Sequence, residues 1–142
     1  MSITRIERIA AAFLGLEALF VVLLAVWEGL ALAGGDTDSV SSSIALLVLT
    51  LVAAAAVGAF AAAVWRGGSW GRSGGIVVQL LVLSVAGGTL TGDGANPQVA
   101  ALIAAPAIVG LVLLIGAARA AGPRTRREAD LEPGTAAEPG SD

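Results

Sequence analysis

Residues Trp65–Arg72, read as Trp-Arg-Gly-Gly-Ser-Trp-Gly-Arg, form a short polar break between two long apolar runs. Arginine collects on the cytoplasmic side of a bilayer and tryptophan at its interface, so a stretch with two of each fixes the direction of its surroundings. It reads as the inner turn joining two transmembrane helical hairpins, with Trp65, Arg66, Trp70 and Arg72 as its interface residues.

The runs on either side are what make this a membrane turn. The 142-residue chain is 56% hydrophobic and only 13% charged. A soluble domain of this size needs polar faces on its helices, because it cannot bury all its apolar surface. Here several segments are apolar all round for about 20 residues, the length that spans roughly 30 Å of hydrocarbon. The runs are continuous instead of alternating, which points to helices and away from a barrel. The expected fold class is an all-α membrane protein with four transmembrane helices in two antiparallel hairpins.

Local signals place the ends. Thr4 and Glu7 match a capping box, so helix 1 is expected over about 5–33, closed by Gly34-Gly35. Ser41, Ser42 and Ser43 each offer a cap for helix 2, expected over 44–65 and stopping at Gly67-Gly68. Ser73 offers a cap for helix 3, over 74–91. Asn96-Pro97 pairs a cap with proline at the first helical position, starting helix 4, which runs over 97–121 until Gly122-Pro123 ends it. Pro106 is expected to kink that helix. The domain is thus 1–121, and the Pro-, Gly- and Glu-rich residues 122–142 are expected to form a disordered cytoplasmic tail.

Charge sorts by position. All eight basic residues are arginine: Arg5, Arg8, Arg66, Arg72, Arg119, Arg124, Arg126 and Arg127. With the N-terminus inside, each falls on the cytoplasmic side, while the two outer loops hold Asp36, Asp38 and Asp93 and no basic residue. A multi-pass protein of the cytoplasmic membrane with both termini inside follows. Arg119–Arg127 would lie against anionic lipid head groups, at about 1 kcal/mol per basic residue. Arg5, Arg8 and Ala31-Leu32-Ala33 also resemble the flanks of a signal peptide. The apolar run between them is about 25 residues, where a signal core has 7–15, and Glu17 interrupts it.

Glu17 is the most informative single residue. It lies about eight positions into the apolar part of helix 1, or roughly 12 Å at 1.5 Å per residue. An ionised group there costs about 3 kcal/mol, so it should face protein or water. Gln79 lies at similar depth on helix 3, and its amide can bond that carboxyl group. Glu28 follows about three turns later on nearly the same face and is expected near the outer surface beside Trp27. Two readings remain: the face lines a cation or proton path with Glu17 as its site, or Glu17–Gln79 is a structural interhelical bond, worth only about 0.6 kcal/mol. Small residues at helical spacing form expected packing stripes: Ala54, Gly58 and Ala62; Ser84, Gly88 and Thr91; Ala11 and Gly15. They fit packing inside the bundle as well as dimerisation.

No enzyme constellation is present, and Gly67-Gly68-Ser69-Trp70-Gly71 lacks the lysine and spacing of a phosphate loop. With no Cys and no His, disulfides, thiol redox chemistry and Cys/His metal sites are excluded; no cofactor and no metal are expected. Asp36, Asp38 and Asp93 lack EF-hand spacing.

Residues 65–72, followed by Ile76-Val77-Val78-Gln79-Leu80-Leu81, resemble a pattern in uncharacterised small four-helix integral membrane proteins of actinobacteria. The resemblance covers the end of helix 2, the turn and helix 3. Gly68 and Ser73 stand where those proteins often have a basic residue and a proline. The resemblance implies a shared site formed by the Trp/Arg turn and Gln79, and no activity. The expected function is therefore a non-enzymatic accessory or interaction component working through a membrane-protein partner or a homo-oligomer, with no nucleic acid. The alternative is a small-solute or ion/proton-conducting protein built on Glu17.

Overall fold

The computed structural model describes residues 3–35, 39–91 and 94–131, with side chains described as far as residue 123. Four α-helices follow in order: α1 (Arg5–Gly34), α2 (Val40–Trp65), α3 (Ser69–Gly88) and α4 (Pro97–Leu131). Each is long and apolar enough to cross a membrane. At most 28% of the most apolar window of any span is buried in the protein, and Leu102 (79% exposed), Leu30 and Leu49 point outward. Water would not tolerate so continuous an apolar exterior, whereas hydrocarbon does. The chain has the build of a multi-pass membrane protein.

Several ends form as their residues dictate. The Thr4 hydroxyl accepts the Glu7 amide while the Glu7 carboxylate accepts the Thr4 amide at 2.8 Å, completing the capping box of α1. Gly35, at φ 78°, closes α1 by donating to the carbonyls of Ala31 and Leu32. At the end of α2, Gly67 adopts φ 77° and donates to Val64, and Gly68 donates to Ala63, a two-bond Schellman closure that needs glycine at its left-handed position. The Asn96 side chain accepts the amides of Gln98 and Val99, both at 3.1 Å, and Pro97 opens α4.

Other boundaries move. α2 begins at Val40, so Ser41–Ser43 lie inside its first turn instead of capping it; Ser39 precedes it without a side-chain cap bond. α3 starts at Ser69, five residues before its expected start, because Gly68 ends the Schellman closure in an extended conformation from which a helix can begin at once. Ser73 is therefore not a cap: its hydroxyl donates back to the Ser69 carbonyl. α3 also ends earlier than expected, at Gly88, and Thr91 lies outside it. α4 runs unbroken through Pro106 and Pro123 to Leu131, past the stop expected at Gly122-Pro123. One proline removes one backbone donor, and a helix can lose a single rung and continue. Residues 132–142 of the expected tail, Asp36, Asp38, Asp93 and the side chains of Arg124, Arg126 and Arg127 lie outside the described residues.

α1 packs chiefly on α2 and α3 on α4, with smaller α2–α3 and α1–α4 contacts closing the ring. The core gathers toward the end that carries the arginines: Ala10, Ala11, Leu14 and Ala18 of α1 meet Val57, Ala61 and Val64 of α2 and Leu114 and Ala117 of α4. No residue of α2 before Ala54 is buried. Close approach depends on glycines that were not in the expected stripes. A Cβ on Gly71 would lie 2.6 Å from that of Ala63 and 2.7 Å from the Val64 nitrogen, and one on Gly75 would press on Leu14 and Leu114. Gly71 and Gly75 are one helical turn apart, a small-xxx-small seam set against α2, α1 and α4. Of the expected stripes, Ala11 and Ala54 are buried and Gly58 lies opposite Ala18, while Ala62 and Gly15 are half-buried. Ser84 and Gly88 are exposed and take no part in packing within the chain.

Gly71→Ala should weaken the fold by about 1–3 kcal/mol, since backbone as well as side chain must shift to admit one methyl group. Gly87→Ala, whose added carbon meets nothing, should leave it unharmed. Thermal unfolding of both variants in detergent micelles reads the contrast directly.

Candidate functional site

Three polar contacts tie the helices together at three levels. The lowest begins with the capping box. Glu7 is spent locally on one oxygen, Oε2, which accepts from the amide and hydroxyl of Thr4 at 2.8 Å each. Its other oxygen accepts from Nη1 of Arg72 at 3.2 Å. The same Nη1 donates to the carbonyl of Gly67, also at 3.2 Å. One guanidinium thus ties the start of α1 to the α2–α3 turn. Glu7 is 1% and Arg72 8% exposed, so the pair is withdrawn from solvent. Such burial is tolerable only because both carboxylate oxygens are filled and the cation lies against them.

The middle level is Glu17 and Gln79. Gln79 is wholly buried, and its Nε2 donates to Oε2 of Glu17 at 2.6 Å. Gly110 on α4 makes the room: a Cβ there would sit 2.6 Å from Nε2 and 3.0 Å from the ring of Phe13. The amide therefore lies among α1, α3 and α4. Its Oε1 is buried with no partner among the described residues, a condition that interiors rarely leave unmet.

The upper level is Glu28 and Thr50. The Thr50 hydroxyl lies 3.3 Å from Oε1 of Glu28 and 3.0 Å from the Leu46 carbonyl of its own helix. Oε2 of Glu28 is buried and unpartnered among the described residues. Trp27 is 69% exposed, while the carboxyl group is turned in against α2.

The expected turn cluster divides in the same way. Trp65, Arg66 and Trp70 project outward, Trp70 with its ring set edge-on to Phe60 at 5.6 Å between centroids. Arg72 points inward and belongs to the lowest contact. Sequence reasoning paired Glu17 with Gln79 and missed the partners of Glu7, Arg72 and Glu28. One signal for the first pair was present: Glu7 is the single carboxylate among Arg5, Arg8, Arg66, Arg72 and Arg119 before the tail begins. A hydroxyl such as Thr50, one of several Ser and Thr in apolar surroundings, gave no comparable signal.

No protein-family description, no curated protein and no solved structure matches this chain. The site is read from its own residues.

Replacing Glu7 or Arg72 alone by Ala should destabilise the protein by about 3–5 kcal/mol, because each change takes an opposite charge away from a buried ion. The joint change Glu7→Met with Arg72→Leu should recover most of that loss. Chemical unfolding of the three variants in micelles reads the comparison.

Proposed function

We propose that this chain is a non-enzymatic accessory or interaction component of the cytoplasmic membrane. Its four helices form two antiparallel hairpins with both termini inside, and it acts through a partner in the same bilayer. The orientation rests on arginine placement, with Arg5, Arg8, Arg66, Arg72 and Arg119 at one end of the spans. The observation that carries the role is how the polar side chains are used. The interior ones are engaged between helices of this chain, at Glu7–Arg72, Glu17–Gln79 and Glu28–Thr50. What is left for a protein partner is outside: Trp65, Arg66 and Trp70 beside a three-residue turn, and the exposed small residues Ser84 and Gly88. Tryptophan and arginine are the side chains that most often anchor interfaces. Arg119 and the arginines after it add contact with anionic head groups.

The test is crosslinking in native membranes, then isolation of the complex and mass spectrometry. A stoichiometric foreign membrane protein is expected, and its recovery should fall in Arg66→Ser with Trp70→Ala. Unchanged recovery in that double variant rules out the turn as the docking site, and a discrete oligomer of this chain alone rules out a foreign partner.

A second reading has its own support. Oε1 of Gln79 on α3 and Oε2 of Glu28 on α1 are two buried acceptors with no partner among the described residues, as a cation or proton path would require. Under that reading Glu17→Gln in liposomes abolishes flux. Under the accessory reading the reconstituted protein carries none, and the isostere leaves its stability within about 1 kcal/mol of wild type.

A further inference from the structure

A cleft of about 240 Å³ opens between the first turns of α3 and the last described turns of α4, lined by Ser69, Arg72, Ser73, Ile76, Ala118 and Ala121, with Gly122 at its edge. Arg72 is the charged group in its wall. Glu7 and Gly67 both draw on Nη1, and among the described residues Nε and Nη2 make no hydrogen bond. Neither nitrogen is a sealed, unsatisfied atom, so a residue more than nine-tenths buried turns its remaining donors toward open space. A guanidinium offers five N–H groups in a rigid fork, a shape that matches the oxygens of a phosphate.

The surroundings complete such a site. α3 has no side-chain cap, since Gly68 precedes it, so among the described residues the amides of its first turn make no cap bond and the helix presents its positive end there. The Ser69 hydroxyl is unbonded among the described residues, and that of Ser73 makes one 3.3 Å bond to the Ser69 carbonyl. The Glu7 carboxylate lies against Nη1, on the side of Arg72 facing α1. Along α3 the lining changes from Ser69, Arg72 and Ser73 to Ile76, over about 10 Å of rise. Ala118 and Ala121 continue the apolar wall on α4. A polar mouth above an apolar floor fits a phosphate with a hydrocarbon portion beneath it.

We propose that this cleft binds a phosphate group, held by Nε and Nη2 of Arg72, the Ser69 hydroxyl and the first turn of α3, and met in the bilayer as an anionic phospholipid head group. Ala118, Ala121 and Gly122 keep the space open. A Cβ on Gly122 would meet nothing within 4 Å, so there is room at the cleft's edge for a larger side chain to enter it. The site is separate from Arg66, Trp65 and Trp70, and it stands whether or not a protein partner docks there.

The full chain in zwitterionic nanodiscs, titrated with phosphatidylglycerol and read by native mass spectrometry, tests the assignment. One tightly retained phosphatidylglycerol per chain is expected, with a rise in Tm. Arg72→Lys keeps a charge for Glu7 but loses the fork, and should weaken retention roughly tenfold; Gly122→Leu, with Arg72 intact, should do the same by filling the space. Arg119→Gln, an exposed arginine outside the cleft, should change nothing. A parallel titration with inorganic phosphate in the same nanodiscs separates the sources. Stabilisation by phosphate alone, lost in Arg72→Lys, keeps the site and makes its ligand the free anion. Retention of neither, retention equal in wild type, Arg72→Lys and Gly122→Leu, or loss only in Arg119→Gln overturns the proposal.

Discussion

The contact between Glu7 and Arg72 is the constraint on which the arginine end depends. A carboxylate that caps its own helix and binds a cation 65 residues away joins local and long-range order in one group. Removing either function leaves the other incomplete. Without the capping box the carboxylate is not held at the helix start, and without Arg72 a buried charge loses the cation beside it. The guanidinium must also reach the Gly67 carbonyl, which is presented there by the Schellman closure. The positive φ of Gly67, the early start of α3 and the burial of Arg72 are therefore parts of one arrangement.

Packing follows from the same geometry. A three-residue turn brings the start of α3 hard against the end of α2, and only glycine at position 71 allows it. Gly75 then admits Leu14 and Leu114, two of the most buried side chains. The core is dense where the helices are tied and sparse beyond. α1 and α2 stay in touch farther along through Gly29 beside Leu47 and through Glu28 with Thr50. The bundle is joined firmly at one end and loosely at the other.

Much of this was legible in the chain. Four apolar runs, the Thr4–Glu7 box, the Asn96-Pro97 start and the pairing of Glu17 with Gln79 each follow from a local pattern or from matching depth. What was not legible has a common cause. The sequence reading treated Trp65–Arg72 as one polar turn, although glycine-based closure needs only Arg66–Gly68. Once helix 3 was begun too late, Gly71 and Gly75 could not be seen as a seam, nor Arg72 as an inward-facing residue. The stripe at Ser84 and Gly88 faces outward, and sequence left open whether it packs inside the bundle or against a second copy, because spacing fixes a common face and not its neighbour. Gly122-Pro123 looked like a stop because both residues are poor helix formers, yet the loss is one rung.

The long separation of the polar pairs bears on how α3 is held. Glu7 and Glu17 belong to α1, and their partners Arg72 and Gln79 lie 65 and 62 residues later, both on α3. α3 is the shortest span and the least apolar, so it has the weakest claim of its own to enter hydrocarbon. The two carboxylates of α1 give its arginine and its glutamine their partners inside the bundle, so the span that is weakest alone leans most on its neighbours.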